Sequence, residues 1–258
     1  MTSDPLSRRG LVVGAAGLGG LLLAACDRQT RAPQTLRFID RAEGLTRGAQ
    51  RLLLSGQPLA REYQPSDLSR AFKANGSINP QDPAYLALAQ NSFVDWRLTI
   101  GGLVQRPYAL SIAQIRALPA RTQITRHDCV EGWSAIGQWT GPQLGGILHA
   151  AGLLPNARYV VFRCADNLGE RSDAYGKYYE SIDLIDAFHP QTLLAHSMNG
   201  APLAIAHGAP LRLRVERQLG YKQAKYIMAI EVVESLAHIA GGRGGFWEDR
   251  GYEWYAGI

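Results

Sequence analysis

From Phe93 to Ile100 apolar and polar residues alternate. Val94, Trp96, Leu98 and Ile100 share one face and Asp95, Arg97 and Thr99 the other, which predicts a half-buried strand. Arg121 to His127 alternates like an exposed-edge strand, and the residues after it read as a tight loop. Arg158 to Cys164 is a compact apolar strand. Leu211, Leu213 and Val215 interleave with Arg212, Arg214 and Glu216 as a strand with a charged face, and Tyr226 to Val233 makes a last strand. The helical signals are short. Asp82 caps a helix that runs to Gln90 with Pro83 at its first position. Ser111 with Gln114 has the spacing of a capping box for a second helix, which Pro119 ends. A third runs from Gln143 to Ala151 and stops at Gly152, and a fourth from Ser181 to Phe188 stops before Pro190. Short helices scattered among strands, without a regular strand–helix repeat, predict an α+β mixed-sheet domain and argue against a doubly wound sheet.

The N-terminus adds an address. Ser7-Arg8-Arg9-Gly10-Leu11-Val12 has the form of a twin-arginine export signal, and an uncharged run from Gly10 to Ala25 follows. That run is too short and too rich in Gly and Ala to read as a membrane span. It ends in Leu23-Ala24-Ala25-Cys26, the pattern of a bacterial lipoprotein cleavage site with Cys26 as the lipidated residue. An uncleaved anchor helix is the alternative, and either version leaves the chain periplasmic and held at a membrane. Residues 1–25 are thus read as a signal peptide, 26–70 as a tether and extended segment, and 71–258 as the functional domain. The twin-arginine route carries folded proteins, which hints at a cofactor loaded before export. The tail from Gly241 to Ile258 carries Phe246, Trp247, Tyr252, Trp254 and Tyr255, too many large rings for a disordered end, and is expected to pack back on the domain.

The chain is mildly basic, with 27 Lys and Arg against 22 Asp and Glu. The cations are scattered except for Arg212, Arg214, Arg217, Lys222 and Lys225. Such a cluster suits an anionic cofactor or substrate; a nucleic-acid surface would need a wider basic stripe. Of three cysteines, lipidation of Cys26 leaves Cys129 and Cys164, which could pair as a disulfide in an oxidising compartment. His127, Cys129, His149 and Cys164 lack the close paired spacing of structural zinc sites. Cys129 stands in Arg126-His127-Asp128-Cys129-Val130-Glu131-Gly132-Trp133-Ser134. A thiol at a strand end beside Arg126 and His127 would favour its thiolate and chemistry; a small buried hydrophobe is the plainer role.

Four blocks in order resemble the sulfite oxidase family of molybdenum enzymes, in the bacterial branch that includes periplasmic methionine sulfoxide reductase. They are the Cys129 to Ser134 loop, Phe188 to Ala195, His207 to Arg212 and Gly220 to Lys225, within a match spanning about residues 75 to 235. The resemblance implies a sulfite oxidase-type molybdopterin-binding domain with Mo-molybdopterin as cofactor. The metal is then held by two dithiolene sulfurs and the Cys129 thiolate, so a single soft protein ligand suffices. It also implies Arg212 and Lys225 as cations for the pterin phosphate, with the backbone N–H groups of Gln223 and Ala224 as further donors. His207 stands where the family has a pterin-contacting Asn, Cys164 near a family Thr, and Asn75 at a third pterin contact. Arg126 and His127 flank the metal loop and would touch cofactor or an anionic substrate. Glu131 is the proton-handling catalytic candidate, with a salt bridge to a neighbouring Arg as its alternative.

The expected protein is a membrane-tethered periplasmic oxidoreductase that transfers an oxygen atom to or from a small substrate such as a sulfoxide or sulfite. The sequence holds no Cys-x-x-Cys-His and no iron–sulfur cysteine set, so electrons are expected to pass through a separate cytochrome or haem-containing membrane partner. A monomeric catalytic subunit is the simplest expectation, since the chain is too short to include the dimerisation domain of vertebrate-type members. Two other readings stay open. One is a cysteine-nucleophile hydrolase using Cys129 with His127 or another His. The other is a non-catalytic binding lipoprotein with a Cys129–Cys164 disulfide.

Overall fold

Asp82 and Ser111 behave as their spacing predicts. In the structure, a computed structural model, the Asp82 carboxylate accepts the Tyr85 N–H at 3.0 Å and starts helix α1, Pro83–Gln90. The structure describes Gly48, residues 58–169 and residues 176–258. The expected signal peptide, the lipidation site Cys26 and most of the tether lie outside those residues. The apolar alternation after α1 starts later than its pattern suggests. Ser92 and Phe93 take φ of 57° and 61°, the chain turns, and strand β1 runs over Arg97–Gly102. Trp96, Leu98 and Ile100 are buried as expected, but Val94 falls in the turn and is 67% exposed. Strand β2, Tyr108–Ser111, pairs antiparallel with β1 and runs into helix α2, Ile112–Ala117, through the reciprocal Ser111 and Gln114 capping box.

A ten-by-ten-residue hairpin follows: β3, Ala120–Cys129, and β4, Trp133–Pro142, in register from Ala120↔Pro142 to Cys129↔Trp133. Its turn closes when the Gly132 N–H donates to the Cys129 carbonyl at 3.0 Å, with Gly132 at φ +83°. Strand β4 is absent from the sequence reading because Gly137 and Gly141 interrupt its apolar face. Gly141 is required there, since a Cβ would lie 2.0 Å from the Leu194 carbonyl oxygen. Helix α3, Leu144–Ala151, ends at Gly152 as expected. Strand β5, Tyr159–Asn167, pairs with β6, Lys177–Asp183. The helix expected from Ser181 to Phe188 is therefore cut to one turn, α4, Leu184–Ala187, because Ser181 to Asp183 continue the sheet beside Val161 to Tyr159. Short strands β7, Leu193–Ala195, β8, Ser197–Met198, and β9, Ala201–Pro202, precede β10, Arg212–Arg214, and β11, Ile227–Val233.

Among the described residues these strands form three sheets. The largest is mixed, in the order β2-β1-β11-β5-β6 with β1 and β11 parallel; β3-β4-β8-β9 and β10-β7 are antiparallel. The α+β, mixed-sheet expectation is met. One face of the five-stranded sheet, with Leu98, Val160, Phe162 and Val232, joins Ile115 of α2 and Leu144, Ile147 and Leu148 of α3 in one core. Each such side chain contributes roughly 1.5–3 kcal/mol by leaving water. A second cluster gathers on Trp139, and a third on Tyr85, Ala165 and Tyr226. Residues 59–70, expected as tether, lie along the hairpin: the Tyr63 N–H donates to the Ile124 carbonyl at 2.9 Å, and the Gln191 side chain brackets Ala60 at 2.7 and 3.0 Å. No helix among the described residues is long and apolar enough to cross a membrane.

The aromatic tail packs back, as its composition predicts. Phe246 is buried and its N–H donates to the Tyr179 carbonyl at 3.0 Å, while the Leu219 N–H reaches the Ala256 carbonyl at 2.9 Å. The lock between them is ionic. Fully buried Lys222 donates to Glu180 of β6 and, at 2.6 Å, to Glu248 of the tail. Removing the cation would strand two carboxylates away from water. Lys222→Ala is expected to cost about 3–5 kcal/mol in chemical denaturation and to open the tail to protease. A loss under about 1 kcal/mol would show that the tail is held by its rings alone.

Candidate active site

The hairpin turn carries Cys129 to the edge of a cavity of about 180 Å³. Alternation along β3 puts His127 and Cys129 on the same buried face, and β3 ends where the thiol meets the cavity. Asn75 to Ser77 form one side, Asp166 at the end of β5 another, and Gln223 and Lys225 after β10 the floor. Trp247 and Tyr252 of the tail complete the wall.

The electrostatics behind this cavity are unusual for a core. Arg212 and Arg214 of β10 are buried with their guanidinium groups 4.8 and 4.3 Å from the Trp139 ring centre. Arg214 is neutralised by two parallel hydrogen bonds to buried Glu216, at 2.9 and 2.5 Å, a strong fork-to-carboxylate geometry. Its remaining Nη1 lies 3.1 Å from Nδ1 of His127. Burial and the charges of Arg214, Arg212 and Lys225 hold His127 well below the usual imidazole range, so it is neutral. Arg212 has no carboxylate partner. It donates to the His207 carbonyl at 3.1 Å, its Nε has no acceptor, and burial with Arg214 beside it pushes it down to about 9.

The cavity-lining ionisable groups are equally displaced. Burial raises Asp166 to about 7, with Lys225 pulling it back, and its Oδ1 has no hydrogen-bond partner. Burial and Arg212 push Lys225 down to about 7, opposed by Asp166 and Cys164, and its Nζ donates to the carbonyls of Asn75, Ser77 and Ala206. Burial also raises the Cys129 thiol, while the backbone N–H groups of Glu131 and Val130 and the Lys73 charge pull the other way. The expectation that Arg126 and His127 make this cysteine a thiolate by themselves does not hold: His127 is neutral, and Arg126 turns outward to Asp128 at 2.9 Å.

The oxidoreductase molybdopterin-binding domain model matches residues 85–238. This chain belongs to that family. It is a molybdopterin-binding oxidoreductase. A putative protein-methionine-sulfoxide reductase subunit, YedZ1, from Azospira oryzae is 36% identical over 254 residues, 97% of this chain and 88% of that protein. The protein-methionine-sulfoxide reductase catalytic subunits MsrP of Xanthomonas axonopodis pv. citri and Xanthomonas campestris pv. campestris are 35% identical over 154 residues, 56% of this chain and 47% of theirs. The chain thus spans about half the length of those two relatives. The sulfane dehydrogenase SoxCD from Paracoccus pantotrophus matches 55% of this chain and 39% of its own, at 21% identity and a TM-score of 0.48, a likeness that carries no weight for function.

The residues present fit the molybdopterin that this family's domain binds. An anionic, hydrogen-bonding group needs buried donors without partners, and Arg212 Nε is one. His127 Nε2 and Gln223 Oε1 also lack partners, and Gly208 lets the Lys225 and Arg212 side chains come close, since a Cβ there would lie 2.9 Å from Lys225. Among the described residues no three His, Cys, Asp or Glu side chains gather into a metal cluster. A metal here would take Cys129 as its protein ligand and draw its other ligands from the cofactor.

The sequence-nominated residues divide. Cys129, Glu131, Asn75, Gln223 and Lys225 line the cavity. His127, Arg212 and Ala224 are buried. His207 is half-buried, with its ring set edge-on to Phe72 at 5.8 Å, and touches the site through the carbonyl that Arg212 reaches. The Gln223 N–H is already committed to the Gly220 carbonyl at 3.1 Å and is not the free donor expected. Arg126 lines a different cavity, with Tyr63, Asp128 and Glu216. Cys164 is buried with its sulfur toward the Phe162 carbonyl at 3.9 Å, and both it and Cys129 are free thiols, so the disulfide alternative fails. Among the described residues no hydrogen bond joins the His127 ring to Cys129, which leaves the His127 version of the hydrolase reading without its pairing. Glu131 is exposed and is held ionised by Trp133 Nε1 at 3.1 Å and Lys73 at 3.0 Å, a lysine where an arginine was the alternative.

Asp166, Trp247 and Tyr252 were not nominated. Asp166 had a usable signal, a carboxylate continuing the buried parity of Cys164 along β5. Its folded form prefers to be neutral up to about pH 7, whereas the unfolded chain ionises near pH 4. Wild-type stability should therefore fall between about pH 4 and pH 7 relative to Asp166→Asn. In urea denaturation of cofactor-free protein the variant should gain about 2–4 kcal/mol across that window and no more above it. Parallel stability curves from pH 4.5 to 8 would place the Asp166 carboxyl in water.

Proposed function

We propose that this chain is the catalytic subunit of a molybdenum-dependent sulfoxide reductase anchored at the periplasmic side of a membrane. The observation that carries the reading is the position of Cys129, a lone soft ligand on a hairpin turn at the edge of a cavity that buried Lys225 and Asp166 also line. Similarity along nearly the whole chain to a protein named as a putative protein-methionine-sulfoxide reductase subunit supports a sulfoxide as the oxygen donor. When bound, the molybdenum centre would supply two-electron oxygen-atom exchange. Reduction of a sulfoxide consumes two electrons and two protons and releases a sulfide and water.

The chain's own residues supply what that balance needs. Cys129 provides the protein thiolate, and the Val130 and Glu131 N–H groups stabilise its charge. Arg212, with its open Nε, and Lys225 are the cations that would hold the anionic part of the cofactor. Asp166 holds a proton in the cavity near neutral pH and is the better acid. Glu131, kept ionised by Lys73 and Trp133, acts as a fixed charge that orients the turn. The sequence lacks haem-attachment and iron–sulfur motifs, which supports electron delivery from a separate haem-containing membrane partner. The twin arginines and the Leu23 to Cys26 pattern support export and a lipid anchor.

Protein purified from a molybdenum-competent host should contain one molybdenum per chain and reduce methyl sulfoxides with an artificial electron donor. Losing a metal-orienting partner typically costs 10–100-fold, so losing the ligand itself in Cys129→Ser should cost more than about 100-fold while far-ultraviolet circular dichroism stays unchanged. Turnover equal to wild type in that variant would rule the ligand out.

A further inference from the structure

The family match stops at residue 238, yet two residues that line the cavity, Trp247 and Tyr252, come from beyond it. Trp247 and Tyr252 stack on one another, with ring centres 5.3 Å apart and planes 29° from parallel. Tyr252 also meets Tyr221 edge-on at 5.2 Å, and its N–H returns to the Trp247 carbonyl at 3.0 Å. The pair does not depend on a floppy end. Glu248 between them is clamped by buried Lys222, Phe246 stacks on Tyr178, and the Tyr221 hydroxyl donates to the Glu253 carbonyl at 2.6 Å. The rings are therefore presented to the cavity by a braced segment. Tyr252 is 40% exposed, as a ring at the mouth must be to meet an incoming molecule.

We infer that the C-terminal tail is the specificity wall of this site, its Trp247 and Tyr252 rings selecting sulfoxides with apolar substituents over small polar ones. The inference rests on the sulfoxide reading above and extends it to the substrate's substituents. Aromatic faces attract methyl and methylene groups by burial and divalent sulfur by a directional contact. The sulfide product exposes both. The lining also offers Asn75, Asp166 and Lys225, which suit the polar S–O group. A substrate with one polar and one apolar end is thus oriented with its oxygen toward those polar groups and its substituent on the rings.

The test compares loaded wild-type enzyme with Trp247→Ala, Tyr252→Ala and Trp247→Phe, using methyl p-tolyl sulfoxide and dimethyl sulfoxide. Both alanine variants should lower kcat/KM for the aryl substrate about 2- to 10-fold more than for dimethyl sulfoxide, mainly through KM, and Trp247→Phe should restore most of it. Molybdenum content should match wild type. Methyl p-tolyl sulfide should quench wild-type indole fluorescence more strongly than that of Trp247→Phe. Equal losses for both substrates, no loss, or a fall in metal content with the activity would overturn the inference. Wild-type enzyme inert toward every sulfoxide overturns the sulfoxide reading and this inference with it; active wild type with unaltered variants overturns this inference alone.

Discussion

The structure turns on keeping charge out of water behind one thiol. Arg212, Arg214, Glu216, Glu180, Lys222 and Glu248 are all buried, and most are matched in pairs. Burying ions costs several kcal/mol each, repaid only where geometry is close and every atom finds a partner. Arg214 with Glu216 comes closest to that condition, and Lys222 pairs with one oxygen of each of its two carboxylates. Among the described residues Arg212 lacks a carboxylate match and Asp166 Oδ1 a hydrogen-bonding one, and Asp166 lines the cavity. Structural pairs hold the frame, and unmatched groups mark where a ligand belongs.

That division explains how distant segments reach one place. The β3–β4 hairpin delivers Cys129, β5 delivers Asp166, and the chain after β10 delivers Gln223 and Lys225. Lys222 connects this chain to β6 and to the tail, so the metal side and the aromatic side are braced through one ammonium group. His127 packs against Gly220 and Arg214 and leaves its Nε2 open.

Much of this was legible because it was written in short-range patterns. Asp82, the Ser111 and Gln114 pair and Gly152 act within a few residues, and each ends or starts a helix where expected. The Cys129 loop and the Gly220 to Lys225 block likewise carried their chemistry locally. What escaped was long-range. Strand β4 was hidden by Gly141, whose reason is the Leu194 backbone. Strand β6 read partly as helix because Glu180 and Ser181 look solvent-facing until the tail covers them. The charged face of β10 looked exposed for the same reason: the burial of Arg212 and Arg214 depends on Trp139, which lies far away in the sequence. Trp247 and Tyr252 were visible as tail aromatics, but nothing local says that they line a cavity.

The central claim is that the Cys129 sulfur completes a cofactor-held metal. X-ray absorption at the molybdenum edge counts the sulfurs around the metal directly. The account predicts three in wild type, two from the dithiolene and one from the protein, and two in Cys129→Ser. An unchanged sulfur count in the variant, or native protein that carries no molybdenum to measure, would contradict it.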